Sequence, residues 1–106
     1  RGPAAELILT GAQIDADEAR ALGLVNRVVP GPELLQTARQ TARTLAGRSQ
    51  VSVRAALKSL GEGANMSLDA ACRLEAALFG VCAASEDAHE GCRAFLEKRR
   101  PDFKDA

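Results

Sequence analysis

The 106-residue sequence has no tryptophan, no tyrosine and only three phenylalanines, although 46% of it is hydrophobic. So little aromatic surface, with alanine abundant, suits close-packed helices far better than sheet. Its three cysteines, Cys72, Cys82 and Cys92, contain no C-x-x-C pair, and an odd number cannot close into an intramolecular disulfide framework. They are expected to be small buried apolar residues in a reducing compartment. No apolar run approaches the roughly 20 residues that span a bilayer, so no membrane association is expected. Net charge is also missing: 14 Lys and Arg balance 14 Asp and Glu, leaving no overall field to draw the chain to nucleic acid or an anionic membrane. Any basic function must be local. The start, R-G-P-A-A-E, carries neither an initiator Met nor a signal-peptide pattern. A chain beginning part-way through a longer protein is therefore expected, with expression-tag cleavage as the competing explanation.

What is present reads as helices separated by glycine and proline. Pro3 to Leu9 is a short helix stopped at Thr10-Gly11. Asp15 to Glu18 has capping-box spacing and Gly23 supplies a left-handed exit, which places a second short helix at about 16–22. Leu24 to Val29 is rich in β-branched residues and lies between Gly23 and Pro30-Gly31-Pro32; it is the one strand the sequence predicts. A lone strand cannot satisfy its own backbone, and no second strand is visible. From Glu33 to Ala46 apolar residues recur at three- and four-residue spacing, an amphipathic helix closed by Gly47. Ser49 caps a helix with Val53, Ala56, Leu57 and Leu60 on one face, predicted to end at the Gly61-Glu62-Gly63 break. Ser67 caps a helix running through Leu68, Ala71, Cys72, Leu74, Leu78, Phe79 and Cys82, apolar on more than one side as expected between two neighbours. Ser85 caps the last helix, with stripe Ala88, Cys92, Phe95 and Leu96, an acidic first turn and a basic exit before Pro101. The fold class is mainly α.

A self-contained active site is not visible. His89, the one histidine, falls on the polar side of the last helix between Glu86 and Arg93, without the positioned partner that a general base needs. Asp15, Asp17 and Glu18 are explained by capping and the helix dipole, since a hard-cation loop needs more oxygen ligands and a tight turn. No metal site is expected. Gly61-x-Gly63 lacks the following G-K-[ST] and the preceding strand of a phosphate loop. The remaining constellation is Lys98, Arg99 and Arg100 beside Phe95 and Phe103. Dipole compensation on a solvated face is one reading of it. The other is a dock for an anionic, aromatic ligand: lysine offers phosphate a point charge, arginine a fork, and phenylalanine a face for a purine. Coenzyme A has those features, and so does RNA, though one cluster in a neutral chain is a weak footprint for nucleic acid.

Several blocks fall in a characteristic order: A-x-E-L-x-L-T-G at Ala4 to Gly11, I-D-A-D-E-A at Ile14 to Ala19, G-L-V-N-R-V-V-P at Gly23 to Pro30 and V-x-x-A-L-K at Val53 to Lys58. L-E-A-A-L-F at Leu74 to Phe79, S-E-D-x-x-E-G at Ser85 to Gly91 and A-F-x-E-K-R-x-P-x-F at Ala94 to Phe103 follow. Together they resemble the C-terminal portion of the crotonase (enoyl-CoA hydratase/isomerase) superfamily over nearly the whole chain. The resemblance implies a spiral of ββα turns carrying the active site and a C-terminal helical region that covers it and builds trimers, often paired into hexamers. Residues 1–30 would then be the end of the spiral core and residues 31–106 the helical oligomerisation and CoA-covering domain. It also implies an acyl-CoA thioester substrate, no cofactor beyond that CoA, and a homotrimer or dimer of trimers built with the N-terminal core of the same protein. The location implied is the cytoplasm, or the mitochondrial matrix in a eukaryote.

In such hydratases backbone N–H groups form an oxyanion hole and two Glu side chains manage the added water, a sensible use of preorganised donors where enolate charge develops. Both Glu positions and the oxyanion donors belong to blocks that would precede Arg1. Glu6, Glu75, Glu90 and Glu97 do not replace them, since capping, pairing or solvation accounts for each. Glu90 with Arg93 and Glu97 with Arg100 are ordinary i,i+3 neighbours. What the resemblance carries over is Lys98 as the lysine approaching the CoA phosphates, and Phe79 and Phe95 as aromatic positions near the acyl-CoA region. The leading expectation is thus the C-terminal part of an enzyme hydrating 2-enoyl-CoA, or isomerising such thioesters, with no catalytic residue in the chain itself. A non-catalytic helical oligomerisation module, or an inactive homologue, is the alternative, and nucleic-acid binding through the basic tail is a third.

Overall fold

The structure, a computed structural model, describes residues 2–106. Among these residues the chain forms α1 (Gly2–Thr10), α2 (Ala16–Ala21), a 3-10 turn (Gly31–Glu33), α3 (Leu34–Ala46), α4 (Gln50–Gly63), α5 (Leu68–Ala83) and α6 (Glu86–Leu96). It divides into two units, one ending at Arg39 and the other running Gln40–Ala106. No helix is long and apolar enough to cross a membrane among the described residues.

In the first unit, the end of α1 and both ends of α2 have a visible local cause. The Gly11 N–H reaches Leu7 O at 3.0 Å to finish α1. Asp15 Oδ1 accepts from Glu18 N at 2.8 Å, which satisfies one of the orphan donors at the start of α2. At the other end Leu24 N donates to Ala19 O at 2.9 Å and Gly23 N to Arg20 O at 3.0 Å, a Schellman pair around Gly23 at φ 77°. The strand expected at Leu24 to Val29 is not formed: no strand occurs among the described residues, and residues 24–29 take no regular structure. A ladder needs a second strand, and these residues have none to pair with.

In the second unit, three serines cap three helices through their hydroxyl oxygens. Ser49 accepts from Ser52 N at 3.4 Å, Ser67 from Ala70 N at 3.3 Å and Ser85 from Ala88 N at 3.1 Å. α4 ends at Gly63, within the predicted Gly61-Glu62-Gly63 break; Gly61 itself stays helical, because glycine weakens a helix without breaking it when the i,i+4 ladder is otherwise intact. α5 packs against both α4 and α6. An added Cβ at Gly63 would sit 3.6 Å from the Ala71 methyl, an ordinary van der Waals contact across the α4–α5 corner.

The apolar stripes are nevertheless largely uncovered. Ala94 is the one buried hydrophobic residue among those described, while Leu60, Phe79, Leu96 and Phe95 are 73%, 73%, 80% and 82% exposed. The cysteines depart from expectation for the same reason: Cys72 and Cys92 are exposed and Cys82 is partly so, all three as free thiols, because the faces that carry them have nothing packed on them. The total accessible surface is 8715 Å². A folded protein of this mass exposes about 5,700 Å², and two separate bodies of these sizes about 6,800 Å². The surplus of at least about 1,900 Å² is roughly twice the ~800 Å² that one partner contributes to a standard protein–protein interface.

Candidate functional site

The basic turn that follows α6 is built from a helix that ends without glycine. Arg99 N donates to Ala94 O at 3.0 Å and Lys98 N to Phe95 O at 3.2 Å, the same Schellman pair that closes α2. Here the left-handed position belongs to Lys98, at φ 53°. A side chain in that region costs about 1–2 kcal/mol relative to the ordinary helical basin. One turn in the chain therefore gives glycine the position its backbone requires, and the other gives it to a lysine.

Arg99 is the centre of this turn. Its Nη1 and Nη2 donate to Glu90 Oε1 and Oε2 at 2.5 and 3.0 Å, a forked pair between half-buried side chains. Its Nε donates to Glu97 Oε2 at 2.5 Å, and Nη1 also reaches Arg100 O at 3.2 Å. Glu90 Oε1 in addition accepts from Asp102 N at 2.9 Å. Hydrogen bonds from the Arg99 guanidinium, reinforced by the Asp102 N–H, hold the Glu90 carboxyl down at about 2, from an ordinary 4.5. The same bonds from Glu90 and Glu97 push the Arg99 guanidinium upward. Glu90 and Glu97 thus pair with Arg99, which the chain brings back after the helix ends, in place of the i,i+3 partners Arg93 and Arg100.

Beyond Pro101 the tail returns along α6 to a second carboxylate. Asp87, only 2% exposed, accepts from Lys104 N at 2.7 Å and Asp105 N at 3.1 Å. The Ser49 hydroxyl and these two amides lower its pKa, against burial, which raises it. Asp105 Oδ1 then accepts from Gln50 N at 2.8 Å, and Asp87 N donates to Ala106 O at 3.1 Å, which fastens the tail to the start of α4 and to α6. The part-buried Phe103 ring has an edge against Gly91, 3.6 Å from where a Cβ would stand, and lines the apolar groove between α4, α5 and α6. Nothing in the sequence marked Asp87 or Ser49 beyond the dipole and the cap, since their further partners lie 17 or more residues away.

The expected ligand residues are accessible but are not gathered in one cavity. Phe79, on α5, lines an apolar groove of about 1000 Å³ between α4, α5 and α6, together with Leu60, Leu78, Cys82 and Cys92. Phe95 and Lys98 are not among its walls. Lys98 and Arg100 form no ion pair among the described residues, whereas Arg99 makes four hydrogen bonds within the protein. His89 is exposed, as expected of a solvated histidine. No group of three or more His, Cys, Asp and Glu able to hold a metal occurs among the described residues. The described residues thus offer a cationic turn and an apolar groove.

The family model described as Enoyl-CoA hydratase/isomerase matches residues 1–106. The chain is 41% identical to a crotonyl-CoA hydratase of Syntrophomonas wolfei over 102 residues, 96% of this chain and 39% of that protein. Against a 2,3-dehydroadipyl-CoA hydratase of Escherichia coli it is 41% identical over 101 residues, 95% of this chain and 40% of that one. Among solved structures, an enoyl-CoA hydratase from Bacillus anthracis superposes with a TM-score of 0.96 at 35% identity, over 100% of this chain and 41% of its own. The chain spans about two fifths of the length of the relatives it matches.

Proposed function

The chain belongs to the enoyl-CoA hydratase/isomerase family, and on that premise we propose that it is the C-terminal part of an enzyme that adds water across the double bond of a 2-enoyl-CoA thioester. Residues 1–30 are then the end of the catalytic core and residues 31–106 the helical region that covers the CoA site and joins subunits into a trimer or a pair of trimers. The activities for which its relatives are named, hydration of crotonyl-CoA and of 2,3-dehydroadipyl-CoA, support hydration over isomerisation. The uncovered Leu60, Phe79, Phe95 and Leu96 support packing against a further surface, that of the catalytic core or of a second subunit, because apolar area of this extent is ordinarily buried.

The observation that carries the ligand role is Lys98. Its left-handed backbone is disfavoured for any residue but glycine, and its amine forms no ion pair among the described residues. Strained residues persist where surrounding bonds over-determine them, and they cluster at ligand clamps, which supports a functional role for Lys98. In this reading Lys98 meets the phosphates of CoA, while Phe95 and Phe79 provide apolar surface toward the acyl-CoA. The chain itself supplies no catalytic residue.

Hydration of crotonyl-CoA, followed by loss of the conjugated thioester absorbance, tests the proposal. The complete protein is expected to turn over and residues 1–106 alone are not; turnover by this chain alone would overturn the division of labour. Light scattering of the complete protein is expected to give a trimer or hexamer. A catalytically inactive complete protein that still assembles through these helices would favour the oligomerisation-module reading.

A further inference from the structure

Three cations stand in sequence after α6, yet the structure uses them differently. An arginine guanidinium has five N–H donors. Four of the bonds they make are spent within the protein: Nε to Glu97, Nη1 to both Glu90 and Arg100 O, and Nη2 to Glu90. The residues on either side of Arg99, Lys98 and Arg100, have no such bonds from their side chains among those described. The same Glu90 carboxylate holds Asp102 N, so the turn from Glu97 to Asp102 is wrapped around one guanidinium and tied to α6 at both ends. A forked pair joined to a second carboxylate and a backbone amide differs from an isolated surface ion pair, because each bond fixes the geometry of the next.

We propose that Glu90 and Arg99 are positioning residues of the anion-binding turn. Their pair withdraws Arg99 from ligand contact and fixes Lys98 and Arg100 as the two cations presented to the 3′-phosphate of the nucleotide. The inference rests on the CoA reading of Lys98 and adds to it the device that sets which charges face the ligand. Freezing two flexible cationic side chains' backbone in advance lowers the ordering cost of binding.

The two possible roles of Arg99 predict opposite signs. If Arg99 touched phosphate, Glu90→Gln would free its guanidinium and strengthen phosphate recognition, whereas Arg99→Ala would weaken it. If the pair positions the turn, both substitutions weaken recognition, and the double variant is no worse than either single one, because they remove the same device. The readout is the ratio of dissociation constants for 3′-dephospho-CoA and CoA, measured with the complete protein at low ionic strength. An exposed phosphate contact gives the unaltered protein a preference of about fivefold, expected to fall to about twofold or less in both single variants.

Arg99→Lys is the second variant: it keeps the charge and loses the fork, and it is expected to behave like Arg99→Ala. Amide exchange at Asp102 should accelerate in Glu90→Gln while α5 remains protected, which reports the turn without reference to any ligand. Opposite signs in Glu90→Gln and Arg99→Ala, or a full preference in Arg99→Lys, would overturn the positioning role and leave the CoA reading intact. An unaltered protein that binds the two nucleotides equally would remove the CoA reading and this inference with it.

Discussion

Replacing Lys98 with glycine should make the end of α6 more stable while weakening the ligand site. Lys98 sits at φ 53° in a turn whose two closing hydrogen bonds match those around Gly23 at φ 77°. Removing the Cβ from a left-handed position is worth about 1 kcal/mol. Losing the cation at a helix C-terminus acts the other way, by about 0.3–1 kcal/mol at low salt and less at high salt. Lys98→Ala isolates the two effects, since it removes the charge and keeps the strain. The glycine variant should therefore exceed the alanine variant by about 1 kcal/mol, which is roughly a fivefold difference in the local opening constant.

Hydrogen exchange at the amides of residues 98 and 99, corrected for intrinsic rates, measures that difference where it arises. Exchange is expected to be about fivefold slower in Lys98→Gly than in Lys98→Ala, with the gap unchanged by salt. Gly23→Ala is the mirror control and should loosen the end of α2 by a similar factor. Both Lys98 variants lose the amine and should bind CoA equally poorly. Equal or faster exchange in the glycine variant would show that the turn stores no strain, and the inference from strain to function at Lys98 would fail.

Other consequences are more local. Ser67→Ala removes the hydroxyl that accepts from Ala70 N and should destabilise the start of α5 by about 1 kcal/mol, read as faster exchange in its first turn. Gly61→Ala, with nothing within 4 Å of the new methyl, should stabilise α4 by about 0.5–1 kcal/mol; a loss of stability would mean that this face is covered in the assembled protein. Because the Glu90 carboxyl is lowered from 4.5 to about 2, its contribution is complete above pH 4.5 and fades as pH falls toward 2. Asp102 amide protection should thus persist at about pH 4, where an unpaired glutamate is already substantially protonated, and disappear near about pH 2. Loss of protection at pH 4 would show that the Glu90–Arg99 bond is not held in solution.

Local chemistry made the helices legible. Asp15, Ser49, Ser67 and Ser85 each bond an amide three residues on, so the cap and its partner lie within one short segment of sequence. The predicted starts of α2, α4, α5 and α6 agree with those caps. The ordered blocks from Ala4 to Phe103 identified the family for a related reason: they encode packing surfaces of a whole fold, whose likeness to solved relatives spans the chain. Hydrophobic patterning predicted which faces were apolar, but not that they would stay open. Burial depends on what is packed opposite, and Cys72, Cys92, Phe79 and Phe95 stay exposed among the described residues.

The basic cluster shows where sequence reasoning stopped. Lys98, Arg99 and Arg100 are adjacent and chemically similar, and composition alone gives no ground for separating them. Only the return of the chain along α6 brings Glu90 to Arg99 across nine residues, Asp87 to Lys104 and Asp105 across 17 and 18, and Gln50 to Asp105 across 55. Likewise the strand expected at 24–29 had the right residues but no partner, and pairing is a property of two segments. By itself the sequence determined the helices, their caps and the family, because those rest on bonds within a turn or on patterns repeated along the chain. Tertiary structure decided which cation is consumed, which is strained and which is free, because those depend on groups that meet only after the chain has folded back.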